Sequence, residues 1–167
     1  THTVGQKAAT VAANAKSKTY GDANPVLDAT VSGTVNTDVL TYSVTTTATQ
    51  FSNVGSYPVT VTMGSNPNYS VTTTASNLTI NTRSITITAT SGQTKVYGDA
   101  DPVLAHTVSN VVNNDQPTGA LSRASGENVG SSYAIGKGTL TYGSNYAESF
   151  VGSDFEITKA PLSISAV

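Results

Sequence analysis

Two ten-residue stretches of this chain are nearly identical. KTYGDANPVL starts at Lys18, and KVYGDADPVL starts at Lys95, 77 positions later. The motifs V-N-x-D, N-V-G and N-Y recur at nearly the same spacing. Self-similarity on this scale is the signature of repeated structural units. The predicted units span residues 1–83, with a core at about 8–83, and residues 84–167, of which 161–167 begin the first strand of a third unit.

Within each unit, apolar and polar residues alternate with a period of two. SITITAT and YPVTVTM place apolar side chains on one face and mainly threonine on the other. Such alternation is typical of strands that bury one face, so it predicts antiparallel sheets with one wet side. Extended backwards at a spacing of 77, the repeat aligns Thr10 and Ala12 with Ile87 and Ala89.

The turn signals and the strand lengths predict the fold class. Gly, Asn, Asp and Pro separate the alternating runs, giving six or seven short strands in each unit. No stretch of ten or more residues has helical spacing. We predict an all-β chain of two tandem small immunoglobulin-like β-sandwich domains, arranged end to end. The alternative is a β-grasp-like repeat, which needs a crossing helix.

Composition excludes several classes of function. The 167 residues carry a net charge of −2, and 11% of them are charged, so there is no basic surface for nucleic acid. The absence of cysteine removes disulfides, thiol nucleophiles and cysteine-bound zinc. No apolar run is long enough to span a membrane, and no signal peptide opens the sequence, which starts like the middle of a longer protein.

The duplicated stretch has the composition of a corner between two strands. Its glycine supplies a backbone conformation that a Cβ obstructs, its aspartate bonds nearby amides, and its proline starts the next strand. Its tyrosine is predicted to bury the ring, and the valine and leucine after the proline are predicted to enter the core. The turn residues are Tyr20, Gly21, Asp22, Pro25, Tyr97, Gly98, Asp99 and Pro102, and the apolar pairs are Val26–Leu27 and Val103–Leu104.

A second corner follows the N-V-G motif of each unit. A tyrosine comes shortly after the glycine, at Tyr57 and, with one extra serine, at Tyr133. This arrangement is similar to the tyrosine corner of immunoglobulin-like sandwiches, in which the hydroxyl bonds back to the preceding loop. We predict that role for both tyrosines.

These motifs together resemble the bacterial MBG-type (YGD-motif) repeat, which occurs in tandem in large surface adhesins and haemagglutinin-like exoproteins. The resemblance rests on K-x-Y-G-D-A-[ND]-P-V-L, V-N-x-D, N-V-G, N-Y and the joints TINTRSITI and EITKAPLSI. It implies an extracellular, bacterial cell-surface location and an immunoglobulin-like stalk that projects a distal binding region. The alternative is that the repeats themselves bind a host surface protein or glycan. The expected partners are neighbouring repeats of the same chain, and the expected state is a monomer.

The sequence predicts no enzyme. The two histidines, His2 and His106, have no partner motif, and no serine lies in the sequence context of a known nucleophile. No catalytic or cofactor-binding residue is therefore assigned, and no cofactor other than calcium is considered.

Calcium is the one ion for which the sequence offers ligands. Asp22 with Asn24, and Asp99 with Asp101, give oxygen pairs two residues apart at the same corner. The competing interpretation is that these residues close the turn. The repeated lysines Lys18 and Lys95 are predicted to be solvated beside that turn, with a Lys–Asn crosslink as the alternative.

Overall fold

The computed structural model describes residues 4–164, and all the regular structure in that range is β-strand. The chain forms two compact units that divide between Thr82 and Arg83, one residue before the predicted boundary. The β-grasp alternative is wrong, because the described range contains no crossing helix. It also contains no helix that is long and apolar enough to cross a membrane. The predicted residue His2 lies outside the described range.

Each unit contributes seven strands to the described part of the chain. The strands of unit one are β1 (Lys7–Ala13), β2 (Lys16–Thr19), β3 (Ala29–Ser32), β4 (Tyr42–Thr46), β5 (Gly55–Met63), β6 (Tyr69–Thr74) and β7 (Ser76–Asn81). Those of unit two are β8 (Arg83–Ala89), β9 (Gln93–Val96), β10 (His106–Val108), β11 (Ser122–Arg123), β12 (Gly130–Gly136), β13 (Tyr146–Val151) and β14 (Ser153–Thr158).

The strands of each unit form a three-stranded and a four-stranded sheet. In unit one the orders are β3-β1-β6 and β2-β7-β5-β4, and in unit two they are β10-β8-β13 and β11-β12-β14-β9. Two segments of each unit pass from one sheet into the other. In unit one these segments are β1 followed by β2, and β6 followed by β7 after the single residue Ala75. The result is an all-β sandwich whose first and last segments run side by side.

The pairing of these segments corrects one prediction. The sequence predicted antiparallel sheets, but β1 pairs with β6 and β2 pairs with β7 in parallel. Unit two repeats this with β8 and β13, and with β9 and β14. The alternation of apolar residues reports which face of a strand is buried and says nothing about the direction of its neighbour.

The apolar faces of the two sheets form the core of each unit. In unit one Val11, Val59 and Leu78 are fully buried, and in unit two Ile87 and Phe155 are. The strands β1 and β8 place their buried residues at every second position, as the period of two predicts.

The backward alignment of the repeat was wrong by one residue. Lys7 pairs with Tyr69, and Arg83 pairs with Tyr146, so the partner of Ile87 in unit one is the buried Val11 and not the exposed Thr10. A one-residue shift moves a side chain to the opposite face of the sheet, which a buried isoleucine cannot tolerate. The extra residue of unit two lies between β8 and β9.

The predicted first strand of a third unit falls at 161–167. Its described part, 161–164, forms no strand, and Leu162 and Ile164 are exposed there. Residues 165–167 lie outside the described range.

Candidate functional site

The duplicated YGD stretch forms a tight turn at the end of β2 and of β9. The amide of Asp22 donates to the carbonyl of Thr19 at 3.0 Å, and the equivalent bond closes the turn in unit two at 3.0 Å. The glycine in each turn has a positive φ, 85° at Gly21 and 94° at Gly98. Since the preceding tyrosine does not have a positive φ, each turn is of type II, which favours glycine at its third position. The repeated glycine is thus explained by the backbone.

The two tyrosines of the turn do not share one environment. Tyr20 is buried, and its ring packs edge-on against Phe51 with centroids 6.5 Å apart. Tyr97 is 52% exposed, which contradicts its predicted burial. Phe51 lies on the β4–β5 connection, where the two units differ in sequence, so burial of the ring depends on a residue that the turn motif does not include.

The valines after the turn also depart from the prediction. Val26 and Val103, predicted to enter the core, are 86% and 94% exposed, whereas the leucine after each is partly buried. The next strands begin only at Ala29 and His106, several residues after the prolines Pro25 and Pro102. This segment therefore crosses the surface before it joins a sheet.

Lys18 occupies a cradle of backbone oxygens behind the first turn. Although it was predicted to be solvated, only 8% of the residue is exposed. Its Nζ donates to the carbonyls of Asp22, Thr49 and Gln50 at 3.0, 2.8 and 3.0 Å. Burial lowers the pKa of Lys18, and the charge of Asp22 opposes this shift. The side chain fastens the YGD turn to the β4–β5 connection.

Side-chain amides also connect the YGD turn and the β4–β5 connection, one donated from each segment. The amide nitrogen of Gln50 donates to the carbonyl of Gly21 at 2.9 Å, and that of Asn24 donates to the carbonyl of Ala48 at 2.6 Å. The corner in unit one is therefore held by hydrogen bonds from one ammonium group and from two side-chain amides.

Lys95 is buried to the same extent but meets charged partners. It is 8% exposed, and its Nζ lies 2.7 Å from Oδ1 of Asp101 and also contacts Glu127. Arg123 donates from Nε and Nη2 to both oxygens of Asp101, at 2.7 and 2.8 Å, and from Nη2 to Glu127 at 2.7 Å. These four residues, Lys95, Asp101, Arg123 and Glu127, are called the charged cluster below.

The charges of the cluster stabilise one another. Hydrogen bonds from Arg123, and then from Lys95, lower the pKa of Asp101 to about 2. Hydrogen bonds from Lys95, and then from Arg123, also lower the pKa of Glu127, while Asp101 raises the pKa of Arg123. Both carboxylates are therefore ionised at neutral pH.

Arg123 is the structural centre of the charged cluster. Its side chain is 6% exposed, and Nη1 donates to the carbonyls of Ala124 and Gly126. The guanidinium lies 5.3 Å from the ring centroids of both Tyr133 and Phe155, within the range of a cation–π contact. In unit one the position equivalent to Arg123 is occupied by Thr46, which pairs with Val59 on the neighbouring strand.

Two of the predicted calcium ligands already make other contacts at the YGD corners. Asp101 directs both carboxylate oxygens at cationic side chains, which a calcium ion would have to displace. In unit one the Asn24 side chain donates its amide to a carbonyl. Between residues 4 and 164, no group of three or more histidines and acidic residues could hold a metal. Calcium binding by Asp22, Asn24, Asp99 and Asp101 stays a prediction of the sequence.

The hydroxyls of the predicted corner tyrosines bond to the loops that precede their strands. Tyr57 donates to the carbonyl of Asn53 at 2.9 Å, and Tyr133 donates to the carbonyl of Asn128 at 2.7 Å. The extra serine of unit two is accommodated by a register shift between Gly130 and Tyr133, where β12 pairs with β14.

A tyrosine–aspartate pair at the opposite end of each unit was missed by the sequence analysis. Tyr69 donates to Oδ2 of Asp38 at 2.7 Å and accepts from the amide of Val35 at 3.1 Å. In unit two Tyr146 donates to Asp115 at 2.8 Å and accepts from the amide of Val112 at 3.2 Å. The sequence did contain a signal for this pair, because the motifs V-N-x-D and N-Y recur together in both units.

A polar cleft lies beside the Asp38–Tyr69 pair. It has a volume of about 360 Å³ and includes Gln6, Lys7, Asn36 and Asn68 in its lining. The backbone of Asn36 has a positive φ of 54°, a conformation that asparagine tolerates better than most residues. We call this feature the entry cleft, because β1 begins there.

His106 belongs to a polar group on the surface of unit two. Its Nε2 lies 3.2 Å from the hydroxyl of Tyr142. Burial opposes ionisation of the neighbouring Glu148, but hydrogen bonds from Lys137, the amide of Tyr142 and Thr141 outweigh burial and lower its pKa. These bonds therefore keep Glu148 ionised at neutral pH.

Comparison with known proteins gives the family. No curated protein matches the chain. The family model described as the MBG domain (YGX type) matches it twice, at residues 9–79 and 85–156. The two matches cover most of the chain and coincide with the two structural units. The chain therefore belongs to the MBG domain family of YGX type, and it contains two tandem copies of that domain.

Proposed function

We propose that the two units are spacer modules of a large bacterial cell-surface adhesin and project a distal binding region away from the cell. The observation that supports this proposal is the position of the chain ends within each unit. β1 starts beside the β5–β6 turn, where the amide of Lys7 donates to the carbonyl of Asn68 at 2.9 Å. β7 ends beside the YGD turn, where the amide of Tyr20 donates to the carbonyl of Asn81 at 2.9 Å.

A unit whose chain enters at one end and leaves at the other adds its own length to a tandem array. Unit two follows the same course, with Arg83 beside Asn145 at the start and Tyr97 beside Thr158 at the end. A single residue, Thr82, separates β7 from β8. Short connections restrict rotation between neighbours. The proposal includes no enzymatic activity and no cofactor, and it places the chain outside the cell.

Small-angle X-ray scattering tests the spacer role. We expect a radius of gyration of about 23 Å for two units in series, against about 15 Å for a single compact globule of this length. The measurement is made in EDTA and again in millimolar calcium. The smaller, globular value in both buffers contradicts the proposal. A rise only in calcium would support the prediction that the corners containing Asp22 and Asp99 bind the metal.

The entry cleft favours a second candidate function, in which the repeats bind a host protein or glycan directly. Its amide and charged side chains are suited to hydroxyl-rich ligands. The test compares Asn68→Ala with Thr60→Ala, an exposed position on β5, in a host-cell and glycan-array binding assay. Loss of binding only with Asn68→Ala supports the binding role, and no binding by the parent chain excludes it.

A further inference from the structure

We infer that the parallel pairing of the first and last segments makes each unit a tensile clamp, which resists unfolding when the chain is pulled from its two ends. The use of this clamp in the organism depends on the proposed spacer function, but the mechanical property depends only on the fold. The clamp of unit one consists of β1 with β6 and β2 with β7. The equivalent strands of unit two are β8 with β13 and β9 with β14.

The direction of the strands determines how a pulling force acts on them. Force on the incoming chain draws β1 and β2 towards the entry end, and force on the outgoing chain draws β6 and β7 towards the opposite end. Because these segments are parallel neighbours, the force runs along them and loads all the bonds between them together. An antiparallel hairpin pulled from its two adjacent ends loses its bonds one after another. Breaking many bonds in one step raises the barrier to unfolding.

The clamp has the same length in both units. β1 pairs with β6 over six residues and β2 with β7 over four, and unit two repeats six and four. The remaining strands are not so constant, since β4 has five residues and its counterpart β11 has two. The two units therefore differ in the middle of the chain while the pairing that connects their ends is unchanged.

The core covers one face of the clamp. Val11 in β1 and Leu78 in β7 are fully buried, as are Ile87 in β8 and Phe155 in β14. Water that reaches a strained hydrogen bond can replace it, so a buried flank slows the separation of the strands. The apolar side of the clamp faces the interior in both units.

The first experiment pulls one unit along two directions with optical tweezers. The chain has no cysteine, so engineered cysteines are unique handles. Gly5→Cys with Thr82→Cys loads the clamp of unit one along its strands, and unit two bears no force. Gly5→Cys with Ser65→Cys pulls β1 and β6 apart from the same end. A Cβ at Gly5 meets no atom within 4 Å.

The two directions give different outcomes if the clamp exists. At the same constant force, we expect the Gly5–Thr82 pair to unfold at least about tenfold more slowly than the Gly5–Ser65 pair. Equal rates, or faster unfolding along the strands, overturn the inference. Because both proteins contain only surface cysteines, the result does not depend on a destabilised variant.

A matched pair of proline variants identifies the bonds responsible. The amide of Lys7 donates to the carbonyl of Asn68. In a parallel pair of strands the amides point alternately towards and away from the partner strand, so the amide of Thr72 points towards β1 and the amide of Thr73 points away from β1. β6 is an edge strand, so Thr73→Pro removes no ladder bond. Along the strands we expect Thr72→Pro to unfold faster than Thr73→Pro, and equal rates contradict the assignment.

This result is separable from that of the scattering experiment. If the unit resists force but the chain has the radius of gyration of a single globule, the clamp is supported and the spacer function is refuted. If the radius of gyration matches two units in series but unfolding does not depend on the pulling direction, the spacer function is supported and the clamp is refuted.

Discussion

The hydroxyl of Tyr69 donates a 2.7 Å hydrogen bond to Oδ2 of Asp38, a residue 31 positions earlier in the chain. The pair joins the β3–β4 connection to the start of β6, and unit two builds the same pair from Tyr146 and Asp115. It closes the end of the unit at which the chain enters. The YGD corner, with its buried lysine, closes the other end.

Removing the hydroxyl of Tyr69 should weaken unit one. Tyr69→Phe leaves the amide of Val35 without its partner and deprives Asp38 of a donor. We expect a loss of about 1–3 kcal/mol in the free energy of unfolding. Denaturant titration followed by hydrogen-exchange mass spectrometry assigns the loss to unit one. The control is Tyr42→Phe, because the Tyr42 hydroxyl makes no hydrogen bond within residues 4–164; equal losses would contradict the prediction.

The two buried lysines should differ in their importance for stability. Lys18→Met removes the ammonium donor from three backbone carbonyls, of which that of Thr49 still accepts from the amide of Ser52. We expect a loss of about 2–4 kcal/mol in the free energy of unfolding. Lys95→Met should cost less, because Asp101 and Glu127 retain Arg123 and are partly exposed to water. Unit-resolved hydrogen exchange measures both. The prediction fails if the unit-two variant is the less stable one.

Arg123 should not be replaceable by lysine. Arg123→Lys keeps the charge but loses the two-pronged bond to Asp101 and the contacts with two aromatic rings. We expect a loss of about 2 kcal/mol in the unfolding free energy of unit two. The surface pair of Lys16 with Asp28 gives the control, since Lys16→Gln should cost less than about 1 kcal/mol. Similar losses in the two variants would exclude a special role for the guanidinium.

Acid should weaken unit two through its charged cluster. The pKa of Asp101 falls from 3.8 to about 2 in the folded chain, so its contribution is complete above about pH 4 and is lost as the pH falls towards 2. Thermal melting between pH 5 and pH 2 should show unit two losing stability across this window. Asp101→Asn should be less stable at pH 5 and have a flatter profile. A profile unchanged by the substitution would show that Asp101 is not responsible.

The charged cluster should prevent calcium binding at the corner of unit two. The two oxygens of Asp101 already accept from Arg123 and Lys95, and displacing those cations opposes metal binding. We expect no calorimetric heat at millimolar calcium and no change of melting temperature on addition of EDTA. A heat that disappears in Asp99→Asn would instead establish the site that the sequence suggests.

Periodicity and turn chemistry made the fold predictable from the sequence. The alternation around Ile85 and Ile87 gave the buried face of β8, and the positive φ at Gly21 and Gly98 follows from the type II turn. Both are local properties, because they depend on residues a few positions apart.

The sequence could not predict features that depend on distant partners. Lys18 is buried because carbonyls 31 and 32 residues away receive its ammonium group, and Val26 is exposed because no partner covers it. The direction of β6 relative to β1 is equally invisible to a period-two pattern. The repetition of V-N-x-D and N-Y could have suggested the Asp38–Tyr69 pair, since the aspartate and the tyrosine recur together in both units.

The pairing of the first segment with the last also determines when a unit can fold. β1 finds its parallel partner only after Tyr69–Thr74 has been made, so the contact closes a loop that contains all of β2, β3, β4 and β5. Such long-range contacts slow folding, because the loop entropy is lost before the contact forms. A chain that emerges N-terminus first therefore carries β1 without this partner until almost the whole unit is present. Folding in a tandem array then advances in steps of one complete repeat.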